Sequence, residues 1–209
     1  LNDYEDLPRC NHEELINSLR QTVLIKLNGG MGTGMRLDKV KSLLPVRKGL
    51  NFLDIIVNQL SYLRSYYCED LRFLLMNSFS TSDDTKSYLL KYPELGNPEN
   101  IELMQNRVPK INADTLDAVN FPNSRKLEWC PPGHGDVYAS LLGTGLLDSL
   151  LEEGIRFAFI SNSDNLGATL DFEILNIFKK TGASFLMEVT QRTETDKKGG
   201  HLAKNKDTG

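Results

Sequence analysis

The sequence contains no long apolar segment and few cysteines, and both absences limit what the protein can be. No apolar run approaches the roughly 20 residues that a membrane-spanning helix needs, and the acidic, polar amino end resembles no secretion signal, so we expect no membrane partner. The three cysteines, Cys10, Cys68 and Cys130, form no CxxC pair and are odd in number. This usage favours a reducing compartment over a disulfide framework, and predicts a cytoplasmic protein.

A long block of charge of one sign is also missing. Lys and Arg number 24 against 28 Asp and Glu, which gives a net charge of -4. Because nucleic-acid-binding surfaces depend on clustered basic side chains, the composition predicts no nucleic-acid partner. Hydrophobic residues make up 40% of the 209 residues, which is enough for a sizeable core. We therefore expect a globular chain in which any affinity for phosphate is local.

The most informative segment is residues 23–45, VLIKLNGGMGTGMRLDKVKSLLP. Its apolar start leads directly into four glycines within six residues: Gly29, Gly30, Gly32 and Gly34. Lys39 and Lys41 follow. Glycine lets the backbone approach a ligand closely, so that successive N–H groups can point at phosphate oxygens while a lysine adds positive charge. The pattern predicts a buried strand followed by a phosphate-binding loop.

Two better-known glycine loops do not fit this segment. A P-loop needs a lysine directly after the second of two glycines five apart; Gly29 and Gly34 have this spacing, but Met35 stands in the lysine position. The dinucleotide fingerprint starting at Gly30 and Gly32 would need its third glycine at Met35 as well. The loop therefore belongs to another kind of phosphate site.

Hydrophobic periodicity along the rest of the chain predicts alternating helices and strands. Helices are expected at residues 11–20, from 52 onward, from 82 onward with a capped amino end, from 136 onward with Gly143 and Gly145 as interruptions, and at 170–180. Strands are expected at residues 71–76, 101–104, 155–160 and 184–190, and residues 112–126 have no clear period. This alternation is typical of an α/β domain with a parallel sheet.

Two further polar segments follow predicted structural elements. The two prolines and two glycines of residues 128–138 (EWCPPGHGDVY) predict a rigid loop that places Gly133 and His134 at a helix amino terminus, where free N–H groups favour phosphate. Residues 162–165 (NSDN) follow a strand, which places Asp164 where open α/β sheets bind ligands. Asp164 is the natural metal ligand of the chain. Taken alone, Asp164 is also compatible with a turn, and His134 with a structural hydrogen bond.

Together these segments closely resemble the eukaryotic-type UDP-glucose pyrophosphorylases, the UTP:glucose-1-phosphate uridylyltransferase family. The family motifs are matched by LNGG at residues 27–30, Gly32-Thr33, Lys41-Ser42, PPGHGD at 131–136 and NSDN at 162–165. Gln105 followed by Pro109 is similar to the family's uridine-contacting region. Related UDP-N-acetylhexosamine enzymes usually have Ala and Arg where this chain has Asn28 and Met35, so the resemblance favours a glucose-type enzyme.

The resemblance implies a Rossmann-like nucleotide-diphospho-sugar transferase fold, with a mostly parallel sheet and helices on both faces. Residues 1–209 would form the amino-terminal portion of a single nucleotidyltransferase catalytic domain, with residues 1–20 as a leading helical segment. The rest of the catalytic domain and a carboxyl-terminal β-helix would be absent. The expected fold is therefore a truncated one.

The resemblance also implies roles for individual residues. The nucleotide would be contacted by Leu27, Asn28, Gly29, Gly30, Lys41, Gln105, Gly133, Asn162, Ser163 and Asp164. The sugar phosphate would be contacted by Gly30 and His134. Asp164 would hold Mg²⁺, and Lys41, the catalytic residue, would contact the UTP phosphates.

The reaction that this implies is attack of a glucose-1-phosphate oxygen on the α-phosphorus of UTP, which yields UDP-glucose and pyrophosphate reversibly and with Mg²⁺. Such a transfer chiefly needs alignment and charge neutralisation. Two alternatives stay open at this stage: a non-catalytic module that holds UTP or a UDP-sugar, and a uridylyltransferase for another sugar, such as N-acetylhexosamine-1-phosphate. A homo-oligomer is compatible with the sequence.

Overall fold

The computed structural model describes residues 7–9, 11–31, 40–191, 193–194 and 203–206. The strands within these ranges are β1 (Thr22–Asn28), β2 (Pro45–Arg47), β3 (Leu50–Asn51), β4 (Arg72–Asn77), β5 (Glu102–Met104), β6 (Val108–Pro109), β7 (Trp129–Cys130) and β8 (Phe157–Asn162). Four of them form a sheet in the order β5-β4-β1-β8, and every pair in it is parallel. β2 pairs with β3 and β6 with β7 as small antiparallel ribbons.

Six α-helices lie within the described residues: α1 (His12–Arg20), α2 (Phe52–Tyr66), α3 (Ser82–Leu89), α4 (Val137–Gly143), α5 (Leu146–Glu152) and α6 (Phe172–Thr181). The side chain of Asn11 caps α1, as predicted. Asn51 and Asp54 form a reciprocal capping box at the start of α2. Such a box satisfies two backbone donors that a helix start otherwise leaves unpaired, and it explains why α2 begins at Phe52.

Helices cover both faces of the sheet, which confirms the predicted architecture. On one face, residues of α1, α2 and α6 pack against the sheet, including Leu19, Leu53 and Leu175. On the other face, Val137 of α4 and Leu150 of α5 pack against β1 and β4. All seven residues of β1 are buried, as expected for a central strand covered on both sides. The loop that follows β1 at the carboxyl edge of the sheet therefore starts from a fully buried central strand.

The helix expected from residue 136 is interrupted at Gly145, one of the two glycines expected to interrupt it. Its φ of 73° lies in the left-handed region, so α4 ends at Gly143 and α5 begins at Leu146. Two details differ from the sequence-based predictions. The expected side-chain cap of α3 is absent, because the Thr81 hydroxyl accepts from the Ser78 N–H instead. Residues 184–190 form no strand, because no neighbouring strand among the described residues pairs with their backbone.

The remaining predicted strands are present with ends shifted by one or two residues, and residues 112–126 are irregular, as predicted. None of the helices in the described ranges combines the length and the apolar composition that crossing a bilayer would require.

Candidate active site at the carboxyl edge of the sheet

The carboxyl ends of the parallel strands bring four polar residues to one edge. β1 ends at Asn28, β4 at Asn77 and β8 at Asn162, and Gln105 follows β5 directly. Ligands of open α/β sheets bind outside this edge. The glycine-rich segment leaves β1 at the same place, so its start lies beside the polar ends of the neighbouring strands.

Asn28 is held by contacts inside the protein. Its Nδ2 donates to Asn77 Oδ1 at 2.7 Å and to Thr85 Oγ1 at 3.0 Å, and Asn77 Nδ2 donates to Glu102 Oε1 at 2.7 Å. Asn28 is 2% exposed and Asn77 1%. This buried network ties β1, β4, β5 and α3 together. It uses the amide nitrogen of Asn28 for contacts within the protein.

Gly29 lies directly against the Gln105 side chain. A Cβ atom at position 29 would stand 1.9 Å from Gln105 Nε2, so no larger residue fits there without moving the amide. Gln105 is 5% exposed, and its backbone N–H donates to Asn77 O at 2.8 Å. Its Oε1 is buried and accepts no hydrogen bond from any of the described residues. A buried acceptor without a donor is unfavourable, so Gln105 is ready to accept from a ligand.

Lys41 lies beside Gly30. Its backbone N–H donates to Gly30 O at 3.4 Å, and a Cβ at position 30 would meet the Lys41 side chain at 3.8 Å. An isolated bridge between Met31 and Val40 closes the loop between them. Residues 32–39 of the predicted phosphate loop, which include Lys39, lie outside the described residues. The described ends of the loop place Gly30 and Lys41 together.

Asp164 meets Lys41 from the β8 side of the sheet. Lys41 Nζ lies 3.6 Å from Asp164 Oδ2, and the two side chains are 40% and 42% exposed. The Ser163 N–H donates to Leu27 O at 3.1 Å, which continues the β1–β8 pairing by one residue. Leu27 and Ser163 are buried, whereas Asn162 is exposed. An ammonium and a carboxylate thus face solvent at the point where β1 and β8 end.

The loop with Gly133 and His134 is fastened to the residue after Gln105. Asp136 accepts from the Asn106 N–H at 2.7 Å, from Asn106 Nδ2 at 3.0 Å and from Ser140 Oγ at 2.7 Å. Burial raises the pKa of Asp136, but these hydrogen bonds outweigh burial and hold that pKa below its ordinary value. Gly133 has a φ of 113°, which favours glycine, and His134 is exposed.

The site therefore has two halves that meet at consecutive glycines. Gly29 and Gln105 form a buried, neutral half, and Gly30, Lys41 and Asp164 form an exposed, charged half. Among the described residues, no three His, Cys, Asp or Glu side chains assemble as a metal cluster. A lone carboxylate still suits Mg²⁺, which usually takes one or two protein carboxylates and completes its shell with phosphate and water.

Sequence reasoning missed the structural roles of Asp136, Ser78 and Lys26. Asp136 stood inside a recognised motif but had been given no role of its own. Ser78 Oγ donates to Gly29 O at 2.9 Å, a contact that no local pattern predicts. Lys26 was visible as a single charge within an apolar strand, which is the signal that could have revealed it.

Fold and site define a Rossmann-like α/β domain with a cluster of polar residues at the carboxyl edge of its sheet. The family model for UTP–glucose-1-phosphate uridylyltransferase matches residues 1–208. This chain belongs to that family.

Individual relatives agree with this assignment. The chain is 44% identical over 191 residues to the UTP–glucose-1-phosphate uridylyltransferase of Saccharomyces cerevisiae, covering 90% of this chain and 38% of the relative. It is 38% identical over 203 residues to the enzyme of the same name from Encephalitozoon cuniculi, and the match covers 97% of this chain and 40% of that relative. The chain therefore spans about two fifths of the length of these relatives.

Solved structures match at a similar level. A variant of UDP-glucose pyrophosphorylase from Leishmania major, solved in complex with UDP-glucose, is 47% identical with a TM-score of 0.88, covering 96% of this chain and 42% of that one. A UDP-glucose phosphorylase from Trypanosoma brucei is 53% identical with a TM-score of 0.82, and the match covers 88% of this chain and 40% of that one. Their likeness agrees with the Rossmann-like fold predicted from the sequence.

Proposed function

We propose that this chain supplies the nucleotide-binding part of a UTP:glucose-1-phosphate uridylyltransferase, which forms UDP-glucose and pyrophosphate from UTP and glucose-1-phosphate. One observation carries the proposal: Lys41 and Asp164 face each other at 3.6 Å beside Gly30, at the carboxyl edge of the sheet. Lysine and carboxylate together suit a triphosphate that arrives with a divalent cation. The relatives named above act on these substrates according to their names.

In the proposed reaction, an oxygen of the sugar phosphate attacks the α-phosphorus of UTP as the bond to pyrophosphate breaks. The protein must align the two phosphates and neutralise their charge, and it needs no covalent intermediate. Lys41 would donate to the phosphate oxygens, and the backbone at Gly29 and Gly30 would lie against the nucleotide. Gly30 and His134 would face the sugar phosphate.

Gln105 would recognise the base. Uracil offers an imide N–H donor between two carbonyl acceptors, and a glutamine amide can pair with such an edge by accepting and donating at once. The buried Oε1 of Gln105 lacks a donor among the described residues, which the uracil N–H would supply. Cytosine presents an acceptor at the same position, so this pairing favours UTP over CTP. Gly133, Asn162 and Ser163 would complete the uridine side.

Asp164 would be the protein ligand of Mg²⁺. Its carboxylate is 42% exposed and lies where phosphates bound by Lys41 would also reach it. Bound Mg²⁺ would neutralise phosphate charge and support departure of pyrophosphate. A cytoplasmic location and a homo-oligomer stay predictions from the sequence.

The test is release of pyrophosphate by the intact protein from UTP and glucose-1-phosphate, measured with and without Mg²⁺. We expect Mg²⁺-dependent release with UTP and much slower release with CTP. A panel with N-acetylglucosamine-1-phosphate and galactose-1-phosphate tests the sugar. Binding of UTP without pyrophosphate release from any sugar phosphate would refute the enzyme and leave the binding module.

A further inference from the structure

Lys26 is a charged residue in the centre of the buried core strand β1. It is 6% exposed, and it lies between Ile25 and Leu27 in the sequence TVLIKLN. Its Nζ donates to Ser161 Oγ at 2.8 Å and to the carbonyl of Ala168 at 2.9 Å. The ammonium also lies 5.8 Å from the centre of the Phe159 ring. Lys26 is therefore fixed at both its backbone and its head group.

Stability alone does not account for a lysine at this position. Its two hydrogen-bond acceptors, a hydroxyl and a carbonyl, are neutral, and burial lowers the pKa of Lys26 to about 8. Moving a cation out of water without an opposite charge is unfavourable, and an apolar side chain of similar volume is often at least as stable in such a place. The lysine must offer something that an apolar residue cannot, namely donors for specific oxygens.

The two acceptors of Lys26 lie on either side of Asp164 in the chain. Ser161 belongs to β8, and Ala168 is the last residue of the turn at residues 162–168 that carries Asp164. The same turn is held at Leu166, whose carbonyl accepts from Gln59 Nε2 of α2 at 3.2 Å. At its base the Ser163 N–H donates to Leu27 O. Lys26 thus joins the start and the end of the turn to β1, the strand that also leads to Gly29 and Gly30.

We propose that Lys26 is a positioning residue that fixes the turn at residues 162–168, and with it the carboxylate of Asp164, relative to the glycine loop. The role rests on the proposed function, since its benefit is correct placement of Asp164 for a metal–nucleotide complex. Groups that orient a metal ligand typically alter metal affinity when removed. Lys26 acts through the turn and needs no contact with substrate.

The experiment compares three variants of the intact protein: Lys26→Met, Ser161→Ala and, as a matched control, Leu24→Met. Methionine is unbranched and only one heavy atom shorter than lysine, but it has no donors; Ser161→Ala removes one acceptor while keeping the lysine. Leu24 is buried in the same strand, so the control reports any general effect of changing the core of β1. Amide hydrogen exchange of the turn is measured without ligand, and UTP binding is titrated calorimetrically against Mg²⁺.

For Lys26→Met we expect faster exchange at the amides of Asn165 and Ala168, with the exchange of β4 unchanged. We expect the Mg²⁺ concentration that half-saturates UTP binding to rise about tenfold. Ser161→Ala should increase the exchange rate of the turn and the half-saturating Mg²⁺ concentration by smaller amounts. Leu24→Met should leave both quantities unchanged. In steady-state assays, kcat at saturating Mg²⁺ should fall much less than kcat/KM at low Mg²⁺.

Unchanged amide exchange in the turn of Lys26→Met would overturn the proposal. Faster exchange in the turn with an unchanged Mg²⁺ dependence of UTP binding would also overturn it. So would an equal increase of exchange in all strands of Lys26→Met and Leu24→Met. If the wild-type protein itself binds no UTP with Mg²⁺, the proposed function fails and the positioning role fails with it. If the wild type binds and only the expected effects of Lys26→Met are missing, the positioning role alone is wrong.

Discussion

Two lysine–carboxylate pairs in this molecule differ in how completely their carboxylates are satisfied. Between α2 and α3, Lys91 Nζ lies 2.6 Å from Asp54 Oδ1, and the Asp54 side chain is 2% exposed. At the carboxyl edge, Lys41 Nζ and Asp164 Oδ2 are 3.6 Å apart, and both side chains are about two fifths exposed. In the first pair, called the enclosed pair below, the carboxylate is buried while the Lys91 side chain is 44% exposed. In the second, the open pair, the contact is longer and both side chains face solvent.

The enclosed carboxylate of Asp54 has further donors. It accepts from the hydroxyls of Tyr92 at 2.6 Å and Tyr88 at 2.8 Å, and from the Asn51 N–H at 2.9 Å. Burial raises the pKa of Asp54, but the donors Lys91, Tyr92, Asn51 and Tyr88 outweigh burial and lower that pKa to about 2. Asp54 therefore braces α2 against α3 and has little capacity left for a ligand.

The open pair shows the opposite balance. Exposed ion pairs contribute roughly 0–1 kcal/mol to stability, so the Lys41–Asp164 contact does little for the fold. Each group keeps donors or lone pairs that a phosphate or a cation could use. Similar residue types thus serve stability where they are saturated and are available for chemistry where they are not.

The largest expected effect tests the open carboxylate. Asp164→Asn should lower the rate of pyrophosphate release about 10²–10³-fold, because a neutral amide holds a divalent cation at the phosphates more weakly than a carboxylate does. The free energy of unfolding should stay close to that of the wild type. The control is Asp148→Asn, at an exposed position of α5. It should match the wild type in both the rate and the free energy of unfolding. Wild-type turnover in Asp164→Asn would remove this residue from the mechanism.

The lysine of the open pair should follow closely. Lys41→Met should lower kcat about 10²-fold, because a preorganised positive charge at the phosphates is lost. The free energy of unfolding, measured in urea, should change by less than about 1 kcal/mol. Lys180→Met, an exposed lysine on α6, controls for loss of one surface charge. Equal activity of the two methionine variants would show that Lys41 is only a solvated surface charge.

The enclosed pair should respond in stability instead. Asp54→Asn should lower the free energy of unfolding by about 2 kcal/mol, because Lys91 loses its counter-charge and the tyrosine hydroxyls lose a charged acceptor. Asparagine can still accept from the Asn51 N–H, so α2 should keep its start. Turnover per folded molecule should be unchanged. A large fall in turnover at wild-type stability would contradict the assignment of Asp54 to the scaffold.

Acid should reduce the stability difference between wild type and Asp54→Asn. The pKa of Asp54 is lowered from 3.8 to about 2, so its contribution is complete above pH 3.8 and is lost as the pH falls towards 2. Between pH 5 and pH 3 the difference should shrink by about 1 kcal/mol. Urea titrations of both proteins at each pH measure this. A difference that stays constant down to pH 3 would mean that Asp54 titrates normally.

Much of the scaffold could be predicted because its signals are local. The capping residues Asn11 and Asn51 and the periodic apolar residues of α2 fixed the helix starts and faces. Alternating elements predicted a parallel sheet, and parallel pairing explains why residues following different strands meet at one edge. The expectation that Lys41 and Asp164 belong to one site came from family motifs rather than from spacing, since the two lie far apart in the chain.

The parts that could not be predicted depend on contacts between distant segments. Gly29 stood in an obvious loop, yet its reason is the Gln105 side chain that occupies the space of a Cβ. Lys26 is a single charge within an apolar strand, and its contacts with Ser161 and Ala168, both distant in the chain, are visible only in the fold. The apolar run at 184–190 has strand-like composition but no paired neighbour among the described residues. Composition gives a segment a preference for the strand conformation, but a strand forms only where a neighbouring strand can pair with its backbone.

The central claim, that the open pair serves catalysis and the enclosed pair serves the scaffold, is tested most directly in one measurement. Pyrophosphate release from UTP and glucose-1-phosphate is compared in Asp164→Asn and Asp54→Asn at a temperature where both proteins are folded, with the rate normalised to folded protein. We predict a rate near wild type for Asp54→Asn and a loss of about 10²–10³-fold for Asp164→Asn. Equal rates in the two variants, or the reverse order, would contradict the account.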